Sequence, residues 1–199
     1  QVLGGVDPVR DREVVNPELA LADLDTVEKR RDRVAKKAKG GDRDAVREAA
    51  LLDRVHAVLA EGRAAREVEV EPEELALFRS FHLLTSKPVL YLANVAESDL
   101  PSGENDLVRR LREVVQAEEP SAEIVAVCSA IEAELAELDE EERREFLADL
   151  GLEEPGLHRL IRSTYDLLGL ITFFTAGEKE ARAWTVRRGA AAPEAAGVI

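Results

Sequence analysis

The chain has 199 residues, of which 34% are charged, and a formal net charge of −14. Such a polyanion repels nucleic acid over most of its surface, so any contact with RNA has to be confined to a local basic patch. No apolar run approaches the roughly 18 residues of a membrane helix, and the single cysteine, Cys128, excludes an internal disulfide and a cysteine-based zinc site while suiting a reducing cytoplasm.

Residues 1–20 carry acids and prolines where a signal peptide has its apolar centre. Val6 to Val15, with Asp7-Pro8 and several charges, reads as a loop, and Asn16-Pro17 as an N-cap and first helical residue. Leu21, Leu24, Val27, Arg31 and Val34 recur at helical spacing as far as Gly40-Gly41; beyond Asp42, Val46, Ala49, Ala50, Val55, Val58 and Leu59 continue the pattern to Gly62. Two helices of similar length in an antiparallel, coiled-coil-like hairpin are predicted. Near the turn stand Lys29, Arg30, Arg31, Arg33, Lys36, Lys37, Lys39 and Arg43. A cluster of this sort is either a solvated face or a phosphate-contacting arm whose affinity for RNA falls steeply with salt.

A charged connector, Arg66 to Pro72, precedes a predicted short helix from Glu73 to Leu84 with Leu75, Leu77, Phe78 and Phe81 inward. Val89 to Ala93, opened by Pro88, reads as a buried strand, and Glu123 to Val127 as a second. Between them a crossover helix begins around Gly103, with Leu107, Val108, Leu111, Val114 and Val115 as its apolar stripe, the connection a parallel βαβ unit needs. In the acid block from Glu132 to Glu145 the carboxylates are spread round a helix, and Asp139 with Glu140, Glu141 and Glu142 fits an N-cap and acidic first turn rather than paired catalytic acids. Phe146, Leu147 and Leu150 form its apolar side, closed by Gly151, and Pro155 opens a further helix with Leu157, Leu160, Ile161, Tyr165 and Leu168 inward. Ile171 to Thr175 and Ala181 to Arg187 form a predicted hairpin, and Pro193 opens a helix. His56, His82 and His158 stand apart from one another, so no metal site is expected.

The chemical signal lies where the two predicted parallel strands end, the place where open α/β sheets bind ligands. The first runs into Asn94-Val95-Ala96-Glu97. In GTP-binding proteins the related pattern is Asn-Lys-x-Asp, whose Asp accepts two hydrogen bonds from guanine. Here the Lys is replaced by Val95 and the acid is one methylene longer, which weakens guanine selectivity and shifts reliance onto Asn94 and backbone groups around Val95. The second strand runs into Cys128-Ser129-Ala130, a Ser-Ala step of the kind that backs the purine in P-loop GTPases.

With these loops, the segments Leu84-Thr85-Ser86-Lys87-Pro88-Val89-Leu90-Tyr91, Ile131-Glu132-Ala133-Glu134-Leu135, Phe173-Phe174-Thr175-Ala176-Gly177-Glu178-Lys179-Glu180 and Arg182-Ala183-Trp184-Thr185 resemble the Obg-like ATPases of the YchF type, in order and over nearly the whole chain. The resemblance implies an α/β fold: the C-terminal part of a P-loop NTPase with a Rossmann-like parallel sheet (1–16 and 63–169), an inserted αα-hairpin coiled coil (17–62), and the beginning of a β-grasp TGS domain (170–199). It further implies a cytoplasmic, ribosome-associated ATPase, with some GTPase activity, that uses Mg²⁺. Asn94, Val95, Glu97, Ser129 and Ala130 would read the base, and Lys29, Arg30, Arg33, Lys36, Lys37, Lys39 and Arg43 would contact RNA. None of these is a catalytic residue. No Gly-x-x-x-x-Gly-Lys-Ser/Thr loop occurs in the 199 residues, so the chain is expected to be a fragment that binds without hydrolysing, with the phosphate loop and the Mg²⁺ ligands elsewhere in a longer protein. The rival expectation is a non-catalytic ribosome- or RNA-binding module built on the arm and the β-grasp piece. Oligomeric state is left open.

Overall fold

A computed structural model describes residues 5–199; residues 1–4 of the expected nucleotide domain lie outside it. The chain falls into two compact units that divide between Pro88 and Val89.

The first unit is a helical hairpin with a short cap. Helix α1 runs Pro8–Lys39 and α2 runs Arg43–Ala60. The expected loop at Val6 to Val15 and helix start at Pro17 are therefore corrected. Asp7 accepts hydrogen bonds from Val9 N and Arg10 N, and Pro8 occupies the first turn, where its missing N–H costs nothing. The same Asx-Pro signal occurs twice, and the earlier copy starts the helix. Pro17 then lies inside α1 with its ring exposed, and the two helices have unequal lengths of 32 and 18 residues. Asp42 caps α2 through Asp44 N and Ala45 N. Arg30 pairs with Glu48, and Glu28 with His56, so the partner's number rises as α1 is read backwards and the helices run antiparallel.

Ala20, Val27, Val34, Ala45, Leu51, Leu52, Val55 and Leu59 form the seam, while the expected Leu21 and Val46 are exposed. The Glu73–Leu84 helix is shorter than expected: a 3₁₀ turn at Pro72–Glu74, then α3 at Leu75–Arg79. Phe78 and Phe81 are buried there and meet edge to face, whereas Leu75 is exposed. One charged side chain lies inside this core. Asp23, 3% exposed, accepts from Leu84 N, Thr85 N and Thr85 Oγ1, each at 2.7 Å. Thr85 Oγ1 also accepts from Ala65 N at 2.9 Å. A buried carboxylate is tolerable only with its lone pairs occupied in this way.

The second unit holds β1 (Leu90–Asn94), α4 (Asp106–Glu118), β2 (Glu123–Val127), α5 (Ser129–Glu137), α6 (Glu140–Asp149) and α7 (Gly156–Leu167). Strands β1 and β2 pair in parallel, with Asn94 opposite Val127. Val95, Val108, Cys128, Ile131, Leu135 and Leu147 make the core on one face of the pair. Two expectations of burial are corrected. Leu92 in β1 is 52% exposed, because β2 is the only strand paired with β1 among the described residues. On α7, Leu157 and Ile161 are open to solvent, as is Leu168 at its C-cap, and only Leu160 and Tyr165 of the expected stripe are half-buried. On α4 the buried stripe narrows to Val108, Leu111 and Val115.

Asp139 caps α6 with Glu142 reciprocating, as its spacing implied. The hairpin of β3 (Leu170–Ala176) and β4 (Ala181–Arg187) is antiparallel and sets Phe173 opposite Trp184, with α8 (Ala192–Ala196) following. No helix of the described residues is long and apolar enough to cross a membrane.

Candidate functional site

The parallel pairing of β1 with β2 delivers both strand exits at one end, two residues apart in register. Asn94 closes β1 with its side chain exposed, and Ser129 N donates to Asn94 Oδ1 at 3.0 Å. This bond fixes the amide's orientation: its oxygen accepts from the protein, and its two Nδ2 hydrogens are left as donors without a hydrogen bond among the described residues. Ser129 and Ala130 open α5, exposed, so the loop and the first helical turn stand beside Asn94. Val95 behaves differently from its neighbours. Its side chain is 7% exposed within the core and its N–H donates to Val127 O at 3.0 Å, which leaves only its carbonyl to offer outward. Glu97 begins a 3₁₀ turn, Glu97–Asp99, with its side chain exposed.

The surrounding loop is braced. Asp99 Oδ2 accepts from Ala96 N at 3.2 Å and from Asn105 Nδ2 at 2.8 Å, and Asn105 Oδ1 caps α4 through Val108 N at 2.9 Å. Gly103 adopts φ +67°, and a Cβ there would lie 2.7 Å from Ala126 Cβ, so the loop rests directly on β2. One turn along α5, Glu132 accepts from Gly156 N at 2.7 Å and Leu157 N at 3.2 Å, joining α5 to the start of α7.

A chain with this layout has close relatives. It is 50% identical over its whole length to the ribosome-binding ATPase YchF of Bacillus subtilis, covering 54% of that protein. It is likewise 50% identical to the protein of the same name from Haemophilus influenzae, covering 53% of it. The structure of the Schizosaccharomyces pombe YchF GTPase superposes on the entire chain with a TM-score of 0.87 at 32% identity, again over 54% of that chain. Residues 170–199 match the family model YchF-GTPase_C, described as a protein of unknown function (DUF933). The chain belongs to the YchF family.

It spans about half the length of the curated relatives it matches. The α/β class expected from the sequence agrees with the YchF GTPase match. The second group of residues singled out from the YchF resemblance lies on the arm. Between Lys29 and Arg43 there are eight basic and two acidic side chains, a local charge of +6 in a chain of −14. The structure divides them. Arg30 is bound internally: its guanidinium pairs with Glu48 at 2.6 Å, donates to Ser80 O and Oγ, and stacks 4.5 Å from the Phe81 ring centroid. Lys29 pairs with Asp25, and Arg33 Nε donates to Lys29 O. Lys36, Lys37, Lys39 and Arg43 are exposed around the Gly40-Gly41 turn with no ion-pair partner among the described residues.

Asp23, Asp99, Asn105 and Glu132 escaped the sequence reading. For Asn105 a signal existed, since Asn-Asp directly before an apolar stripe marks an N-cap. Nothing local distinguishes Asp23, Asp99 or Glu132 from the many solvated acids.

Proposed function

We propose that this chain is the purine-reading part of a YchF-type nucleoside triphosphatase that works on the ribosome in the cytoplasm and takes ATP at least as readily as GTP. The observation that carries the reading is the Ser129 N–H to Asn94 Oδ1 bond across the two strand ends. With the oxygen occupied, Asn94 Nδ2 is a donor suited to purine N7, an acceptor that adenine and guanine share. Glu97 then faces the opposite edge. A carboxylate there meets two donors on guanine, but on adenine only the amine, beside a ring acceptor. Its greater reach and the lack of a Lys along the base both relax the guanine preference. Ser129 and Ala130 back the ring.

Hydrolysis belongs to groups that hold the phosphates. No three His, Cys, Asp or Glu side chains converge to hold a cation among the described residues. We expect the 199-residue chain to show no Mg²⁺-dependent turnover. In the full-length protein, Asn94→Ala should weaken ATP binding about tenfold or more, the cost of one direct hydrogen bond and a loosened Ser129 loop. Wild-type affinity in that variant, or a clear GTP preference in competition, would overturn the reading.

The arm supports the ribosome contact. Lys36, Lys37, Lys39 and Arg43 are exposed cations beside the Gly40-Gly41 turn, without an ion pair among the described residues, and suit RNA phosphates. They would serve equally a non-catalytic ribosome-binding module with the hairpin as the first piece of a TGS domain. Failure of both ATP and GTP to bind the full-length protein would select that second reading.

A further inference from the structure

One 3₁₀ turn presents two acids, and the structure employs them differently. Glu97 is exposed and its carboxylate makes no hydrogen bond or ion pair among the described residues. Asp99, half-buried, is consumed by its own loop. Its carboxylate accepts from Ala96 N and Asn105 Nδ2, and its carbonyl accepts from Gly103 N at 2.8 Å and Ser102 Oγ at 3.1 Å. Asn105 is tied in turn to Val108 N in the first turn of α4. A chain of bonds thus runs from α4 through Asn105 and Asp99 to Ala96, the residue that precedes Glu97. One residue earlier, Val95 is pinned to Val127 O. Glu97 therefore follows a backbone held at Val95 and Ala96 and stands two residues before the braced Asp99.

We propose that Asp99 is a positioning residue for base selectivity: braced by Asn105, it fixes where the Glu97 carboxylate meets the purine edge. The proposal rests on the reading of Asn94 and Glu97 as base contacts. Hydrogen-bond distances span only a few tenths of an ångström, so a loop shift of about 1 Å exchanges a made bond for a lost one. Adenine and guanine differ along that edge in which atoms carry hydrogen, and they respond unequally to the shift.

The test is a titration of fluorescent ATP and GTP analogues against the full-length protein. Asp99→Ala should change the ratio of GTP to ATP Kd about fivefold or more from its wild-type value, while Asp99→Asn, which keeps an oxygen for Ala96 N–H, stays near wild type. In a Glu97→Ala background Asp99→Ala should change the ratio no further, because its effect passes through Glu97. Should Asp99→Ala fail to fold, Asn105→Ser, which keeps a cap for α4 but removes the Nδ2 donor, carries the same comparison. An unchanged ratio, or an equal change with and without Glu97, sinks the proposal. If instead Asn94→Ala binds both nucleotides as wild type does, the underlying reading fails and not this refinement alone.

Discussion

Asp23 has the most demanding surroundings of any charged residue in the first unit. Its carboxylate is 3% exposed and satisfied by two backbone N–H groups and a hydroxyl, all on Leu84 and Thr85. Removing it leaves the buried Thr85 N–H without its acceptor, and an unsatisfied buried donor costs more than a made bond returns. We expect Asp23→Ala to lower stability by about 3 kcal/mol in urea denaturation, and Thr85→Val, which leaves both backbone bonds, by clearly less. Equal losses from the two variants would show that packing rather than the carboxylate holds Leu84 and Thr85. At the same scale Arg30 shows how a residue's chemistry is reassigned by its neighbours. Its charge suggests an RNA contact, yet Glu48, Ser80 and the Phe81 ring already surround it. Arg30→Ala should therefore reduce stability more than it reduces any binding to RNA.

Among the elements, the loop between β1 and α4 depends on close backbone approach. Gly103 combines a left-handed φ of +67° with a neighbour, Ala126 Cβ, that cannot swing away. Gly62 has a similar φ of +74° but open space around it. Gly62→Ala should accordingly cost only the backbone strain, about 1 kcal/mol, and Gly103→Ala that strain plus a displaced loop, about 3 kcal/mol together. Thermal melts of the two variants compare these values directly, and similar shifts would show that Gly103 does not rest on β2. The hairpin of α1 and α2 illustrates the reverse, a long element with a mixed seam. At 32 residues α1 reaches about 48 Å, held by ion pairs to α2 at its surface and by small and branched residues within. The turn at Gly40-Gly41 places the free lysines at its far end.

For the molecule as a whole, charge is distributed against its own average: a net +6 between Lys29 and Arg43 within a chain of −14. We expect replacement of Lys36, Lys37 and Lys39 by Glu to weaken ribosome co-sedimentation of the full-length protein without moving its Tm. The slope of log affinity against log salt should flatten by about 0.7 to 0.9 per lost phosphate contact. An unaltered slope would remove the arm from the interface. Much of this organisation is written in local sequence. Gly40-Gly41 bounded the hairpin, the alternation from Ile171 to Arg187 specified β3 and β4, and the two strand exits were marked by Asn94 and by Ser129-Ala130, because turns, caps and periodicity act within a few residues. The start of α1 was misplaced because Asp7-Pro8 and Asn16-Pro17 carry the same signal, and only the fold shows which one is used. Tertiary structure alone decided that Asn94 Oδ1 meets Ser129 N–H, that Asp99 braces the loop while Glu97 stays free, and that Leu157 and Ile161 lie open. Each depends on partners distant in sequence or on whether any surface arrives to cover a stripe, and an amphipathic pattern records the readiness of a face to be buried without recording what it meets.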